Sequence, residues 1–286
     1  MRKQFYIIIG IIILSFHSKA QMSFAQWEDS LLVMLDVVRK TESVPKMEGL
    51  NQEFSQTLSK VILMEGAFDY PFQKLSQKMS TITSPDGVFR FFNWNVEDSY
   101  KEHNFYALVL KYNEKEDNYE VIKLKDNYRY IFSPDTKSLD HTNWYGALYY
   151  QIIPIKKGNK TIYTLLGWNG NNRSSTKKII EAMTFANHSS IKFGETIFKY
   201  GKEMKRRIVF EYSAEANMSL KYYKKKKEQK IVFDHLSPQS PQVEGIRSFY
   251  FPDLSFDALY LQGNKWVLVE NEEMTVKTPK GFNTPK

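Results

Sequence analysis

The stretch NWYGALYYQIIPIKKGNKTIYTLLGWNGN, residues 143 to 171, decides the fold class. From Trp144 to Ile155 both alternating sets of positions are apolar or aromatic: Trp144, Leu148, Tyr150 and Ile152 interleave with Tyr145, Ala147, Tyr149 and Ile153. A strand of that composition is covered on both faces, which places it in the middle of a sheet. A second β-branched and aromatic run, Thr161 to Trp168, follows it. Gly158-Asn159 between the two suits a two-residue hairpin turn that needs positive φ, so the runs read as an antiparallel pair.

Runs of the same character lie on either side. Upstream are Phe89 to Val96, Phe105 to Tyr112 and Tyr119 to Leu124; downstream are Arg207 to Tyr212, Met218 to Tyr223, Ile231 to Phe233, Ala258 to Leu261 and Lys265 to Val269. Gly263-Asn264 repeats the hairpin signal, and Lys224 to Lys227 reads as a solvated hairpin loop. One segment, about 174 to 187, reads instead as an inserted helix: Ser174 or Ser175 supplies the cap, and Ile179, Ile180, Met183 and Phe185 the apolar face.

Ahead of the strands the apolar period is that of helices. Phe24, Trp27, Leu31, Met34, Leu35 and Val38 form one stripe and Leu50, Phe54, Leu58, Val61 and Ile62 another, with Pro45 in the break. Asp69 as cap and Pro71 in the first turn indicate a third short helix carrying Phe72, Leu75 and Met79. The expected class is α+β: a helical segment, 21 to 83, docked on a large antiparallel β-domain, 84 to 286, of sandwich or barrel-like form. A propeller is the alternative, raised by the Pro-Asp turns at Pro85, Pro134 and Pro252. Their uneven spacing counts against it, since blades recur at about 40 to 45 residues. The tail from Thr275 has no apolar period and is expected to be mobile.

Residues 1 to 20 read as a signal peptide. Arg2 and Lys3 precede an apolar run from Phe5 to Phe16, too short for the roughly 20 residues a membrane span needs, and Ser18 and Ala20 offer small side chains for cleavage before Gln21. The chain has no cysteine, hence neither disulfides nor a lipid attachment point, and its length allows a core large enough to do without cross-links. Removing residues 1 to 20 lowers the formal charge of +8 by three. The expected location is therefore the periplasm or the exterior, with peripheral membrane association at most. A modest positive excess there suits an envelope glycan or another envelope protein as partner, and not nucleic acid.

Signatures of catalysis are sparse. The chain has no G-x-S-x-G elbow, no H-E-x-x-H and no phosphate-cradling G-x-x-x-x-G-K, so neither cofactor nor metal is expected. Asp140-His141 and Asp234-His235 each set a carboxylate beside an imidazole, but neighbours on a strand point to opposite faces. If the protein is an enzyme, Asp234 and His235 are the first residues to suspect. The candidate binding residues are Trp168, Asn169 and Asn171, in the turn Trp168-Asn169-Gly170-Asn171-Asn172. An indole face beside amide donors and acceptors makes a rim for a glycan or small polar ligand, and the turn is expected to hold these groups outside the sheet.

The phrases SPDGVFRFFNWN (84 to 95), NWYGALYYQI (143 to 152), YTLLGWNGN (163 to 171), KKIIEAMTF (177 to 185), RRIVFEYSAEANMSLKY (206 to 222), IVFDHLSP (231 to 238) and YFPDLSFDALY (250 to 260) together resemble an uncharacterised family of exported Bacteroidota proteins. The resemblance implies an envelope or secreted location and brings no activity. The function expected from the sequence is that of an exported, envelope-associated or secreted binding or structural protein, with a glycan as candidate ligand. The competing class is an exported hydrolase acting on glycan, lipid or peptide.

Overall fold

The computed structural model describes residues 22 to 187 and 190 to 273. The expected signal segment, the tail from Thr275 and His188 lie outside them. Ser23 and Gln26 close a capping box at the start of α1 (Phe24–Lys40). In α2 (Val44–Ile62), Pro45 occupies the first turn rather than the break before it, where its missing N–H is no loss. The third helix expected near Phe72 shrinks to a single 3-10 turn, Leu75–Gln77. Phe72 has a positive φ of 47°, through which no helix continues. Side chains hold this segment instead: the Leu75 N–H donates to the buried Glu28 carboxylate at 2.8 Å, and the Arg90 guanidinium donates to the carbonyls of Phe68 and Pro71 at 2.9 and 3.2 Å.

Strands β1 (Phe89–Glu97), β2 (His103–Asn113) and β3 (Asn118–Lys125) form an antiparallel meander. Then come β4 (Leu139–Asp140), β5 (Leu148–Lys157), β6 (Lys160–Asn169), β7 (Ser175–Asn187) and β8 (Ser190–Phe193). They are followed by β9 (Phe198–Tyr200), β10 (Glu203–Lys205), β11 (Arg207–Ser213), β12 (Leu220–Lys225), β13 (Glu228–Pro238), β14 (Tyr250–Gln262) and β15 (Lys265–Val269). A central sheet has the order β4-β8-β7-β6-β5, with β11 also paired to β7; an outer sheet has the order β10-β9-β15-β14-β13-β12. Among the described strands every pairing is antiparallel except that of β15 with β9. Both expected two-residue turns are present, with Gly158 and Gly263 at φ of 59° and 62°.

Four layers result: two helices, the meander, the central sheet and the outer sheet. Leu31, Leu35, Phe54 and Leu58 of the helices bury Phe92, Trp94 and Leu108 on one face of the meander. Its other face, with Phe89, Phe91, Phe105 and Val109, packs on Ile152, Leu165, Ile179 and Met183 of the central sheet. The opposite face of that sheet, with Ile153, Leu166, Ile180 and Ile208, meets Phe233, Leu259 and Trp266 of the outer sheet. The Trp266 indole N–H donates to Thr164 Oγ1 at 2.8 Å between these two layers. No closed barrel forms among the described residues, and the α+β sandwich is the fold.

Two sequence expectations need correction. The inserted helix at 174 to 187 is strand β7, the spine of the central sheet. A helical stripe and a two-sided strand share the apolar positions Ile179, Ile180 and Met183; what decides is that Ile179 and Met183 face one core while Ile180 and Ala182 face the other. Ser175 caps nothing and hydrogen-bonds Glu211 across to β11 at 2.5 Å. The second correction concerns β5, which is covered on both faces as its composition requires yet lies at an edge of its sheet. Coverage comes from the layers above and below, and says nothing about neighbours within the sheet.

Candidate functional site

A cleft of about 770 Å³ follows β11, with Arg207 to Glu211 all in its lining. It opens where the central and outer sheets part. One wall belongs to the core under the meander and carries Tyr128, Tyr145, Asn171 and Lys177; the other belongs to the core under the outer sheet and carries Phe210, Phe233 and Leu236. Phe132, four-fifths exposed, and Arg247 stand at the rim.

A buried ionic network anchors β11 at the cleft floor. Arg207 and Glu181 are both fully buried and paired, the Tyr149 hydroxyl donates to Glu181 Oε2 at 2.5 Å, and the Trp144 indole N–H donates to the Tyr149 oxygen at 2.8 Å. Burial pushes the Glu181 carboxyl up, against the pull of the Arg207 charge and the Tyr149 hydrogen bond. The same cross-strand position, Arg207 opposite Glu181, puts the guanidinium over the Tyr145 ring. Nearer the mouth, Asn171 Nδ2 donates to Ser175 Oγ at 2.7 Å and to Glu211 Oε1 at 3.3 Å, and the Lys177 ammonium lies 3.8 Å from Glu211 Oε2 and over the Tyr128 ring. Burial lowers the Lys177 pKa.

His235 reaches the cleft with a partner that adjacency in sequence does not reveal. Its Nδ1 lies 2.7 Å from Oδ2 of Asp257, which is buried on β14 and whose other oxygen accepts the Asn271 N–H at 3.1 Å. The hydrogen bond to Asp257 raises the His235 pKa. Asp234 also lines the cleft, but its carboxylate accepts the Ser219 N–H at 2.8 Å. A carboxylate-oriented imidazole with its second nitrogen open to a cleft can move a proton. Among the described residues no hydroxyl nucleophile hydrogen-bonds it, and no group of three or more His, Asp or Glu is placed to hold a metal ion.

The turn at 168 to 172 is tied inward, not held outside the sheet. Asn169 is fully buried: its Nδ2 donates to the Gly146 carbonyl at 2.6 Å and its Oδ1 accepts the Asn171 N–H at 2.7 Å. Trp168 packs edge-on against His103 with ring centroids 5.3 Å apart, and Gly170 meets the same imidazole so closely that no Cβ fits. Burial lowers the His103 pKa, and its Nδ1 pairs with Asn95 Nδ2 at 2.9 Å. Of the three candidate binding residues, only Asn171 lines the cleft. It shares that lining with Asp234 and His235, so one site collects three of the five residues singled out from the sequence. The residues missed are Asp257, Arg207 and Lys177, whose pairing depends on cross-strand register and leaves no local signature.

A second cleft of about 550 Å³ lies between α2 and the meander, lined by Asn51, Tyr106, Asp126 and His141. Burial raises the Asp126 pKa to about 6, although its carboxylate accepts the N–H groups of Phe105, Tyr128 and Gly146. Gly146 is required here, since a Cβ would collide with that carboxylate. No helix among the described residues is long and apolar enough to cross a membrane. The chain matches no family model, no curated protein and no solved structure.

Proposed function

We propose that this chain is a binding protein of the cell envelope or its exterior, exported by residues 1 to 20, akin to the exported Bacteroidota proteins its phrases resemble, and that it holds its ligand in the cleft along β11. The observation that carries the reading is the cleft itself. It encloses about 770 Å³ along a strand that, among the described residues, pairs on one side only, with fixed polar groups on one wall and apolar side chains on the other. An envelope glycan or another envelope protein is the candidate partner, with membrane association peripheral at most. The test uses Phe132→Ala combined with Arg247→Ala, two exposed rim positions whose loss should leave stability within about 0.5 kcal/mol. Retention on a purified envelope fraction should fall while the melt is unchanged; undiminished retention would put the site elsewhere.

A second reading, proton-transfer chemistry in an exported hydrolase, has one observation in its favour, the His235–Asp257 pair at 2.7 Å. Turnover of envelope glycan, lipid or peptide that vanishes in His235→Gln would support it.

A further inference from the structure

We infer that the ligand of the β11 cleft is an extended peptide that joins the central sheet as an added strand; this rests on the reading of the cleft as a binding site. β11 pairs with β7 from Arg207 opposite Glu181 to Ser213 opposite Ser175, and among the described residues with no strand on its other side. In a strand every second residue turns its N–H and C=O away from a given neighbour, so half of the β11 backbone groups face outward. Among the described residues the outward groups of Arg207, Val209 and Glu211 have no hydrogen-bond partner, while the outward Ser213 carbonyl accepts the Ala216 N–H at 3.1 Å; the bonds that flank the strand run from the Arg206 N–H to the Asp135 carbonyl and from the Ala214 N–H to the Ser174 carbonyl. Of the residues whose backbone faces outward, Arg207 and Ser213 are nonetheless buried and Val209 and Glu211 half-buried. A strand packed on both faces with one unpaired edge is an incomplete ladder, since buried backbone donors and acceptors in folded proteins are almost all paired.

The surroundings of that edge specify the occupant. A strand laid beside β11 alternates its side chains between the two walls. On the wall of Tyr128, Asn171, Lys177 and Glu211 they meet hydrogen-bonding and charged groups; on the wall of Phe210, Phe233 and Leu236 they meet apolar rings and methyls. The ligand class is therefore a segment of alternating polar and apolar residues, about seven long to match Arg207 to Ser213, bound mainly through its main chain. A flexible glycan could satisfy some outward groups but has no repeat that matches alternate N–H and C=O groups along a strand.

The experiment selects binders from random nine-residue peptides displayed on phage, with the purified protein as bait and an unrelated β-sandwich as control. A synthetic version of an enriched peptide is then N-methylated at alternate amides, in each of the two parities. Strand addition predicts enriched sequences with polar and apolar residues alternating. It also predicts that one parity of methylation weakens binding at least about tenfold while the other changes it less than about twofold, because only one set of amides faces β11. Amide shifts in the protein should concentrate on residues 207 to 213. No enrichment over the control, or equal losses for both parities, would overturn the proposal. If N-acetylglucosamine oligomers shift the β11 amides and no peptide does, the peptide falls while the cleft stands as a binding site. If the rim variant keeps full envelope retention, the binding-site reading itself fails.

Discussion

Two edge strands of the central sheet, β5 and β11, have been treated differently. At β5 part of the edge is occupied: the Tyr149 N–H donates to Asn93 Oδ1 at 2.8 Å, the Ser80 hydroxyl donates to the Tyr149 carbonyl at 2.5 Å, and Pro154 has no N–H to satisfy. At β11 ion pairs and aromatic rings secure the strand from its faces, while its outer edge is left to a cleft. An unpaired edge is a liability to aggregation unless it is covered or used. Occupying part of one edge with side chains and a proline and enclosing the other in a cleft is the arrangement expected if the first is structural and the second receives a ligand.

Substitutions can break this contrast in order of size. Arg207→Met leaves Glu181 buried without its cation and should cost about 3 to 5 kcal/mol in chemical denaturation, enough to detach β11. The double variant Arg207→Met with Glu181→Leu should recover most of the loss, because no charge is then stranded. Asn93→Ala uncovers part of the β5 edge: it strands the Tyr149 N–H and removes a donor to the Tyr106 carbonyl, for about 1 to 3 kcal/mol. Asn169→Ala should fall in the same range, since it strips the buried Gly146 carbonyl and the Asn171 N–H of their partners. A melt unchanged by Asn169→Ala would return the turn to the surface.

The smallest effect is a pH dependence at the cleft. Asp257 raises the His235 pKa, so folded His235 keeps its proton to higher pH than the unfolded chain does. Its contribution to stability is full below the ordinary imidazole value of about 6.5 and is lost as pH rises through the raised folded value. Titration of the His235 ring by NMR should show the elevation, and Asp257→Asn should remove it. An imidazole that titrates at the ordinary value in the unaltered protein would mean that the pair does not persist in solution.

Most of the helices and strands, and the docking of the first on the second, were legible in the chain because burial on one or both faces leaves a periodic trace. The two helical stripes, the meander and the hairpins at Gly158 and Gly263 all follow from spacing and turn chemistry. The failures share a cause. Ile179, Ile180 and Met183 satisfy two periods at once, and only the presence of β6, β8 and β11 alongside selects the strand. The edge position of β5 is equally invisible, since hydrogen-bonded neighbours leave no mark on side-chain polarity. For the site, a histidine on β13 and an amide in the 168 to 172 turn were visible as residue types. The acid that serves His235 lies 22 positions on, across a ladder whose register shifts between Asp234 and Leu236.

Backbone amide exchange along residues 207 to 213 of the ligand-free protein tests the open edge most directly. The expected result is alternation: amides bonded to β7 exchange slowly, and those facing the cleft exchange as fast as exposed loop amides while their neighbours remain protected. Uniform slow exchange across all seven would mean that another part of the chain already pairs this edge, and would contradict the reading of β11 as the receptive strand.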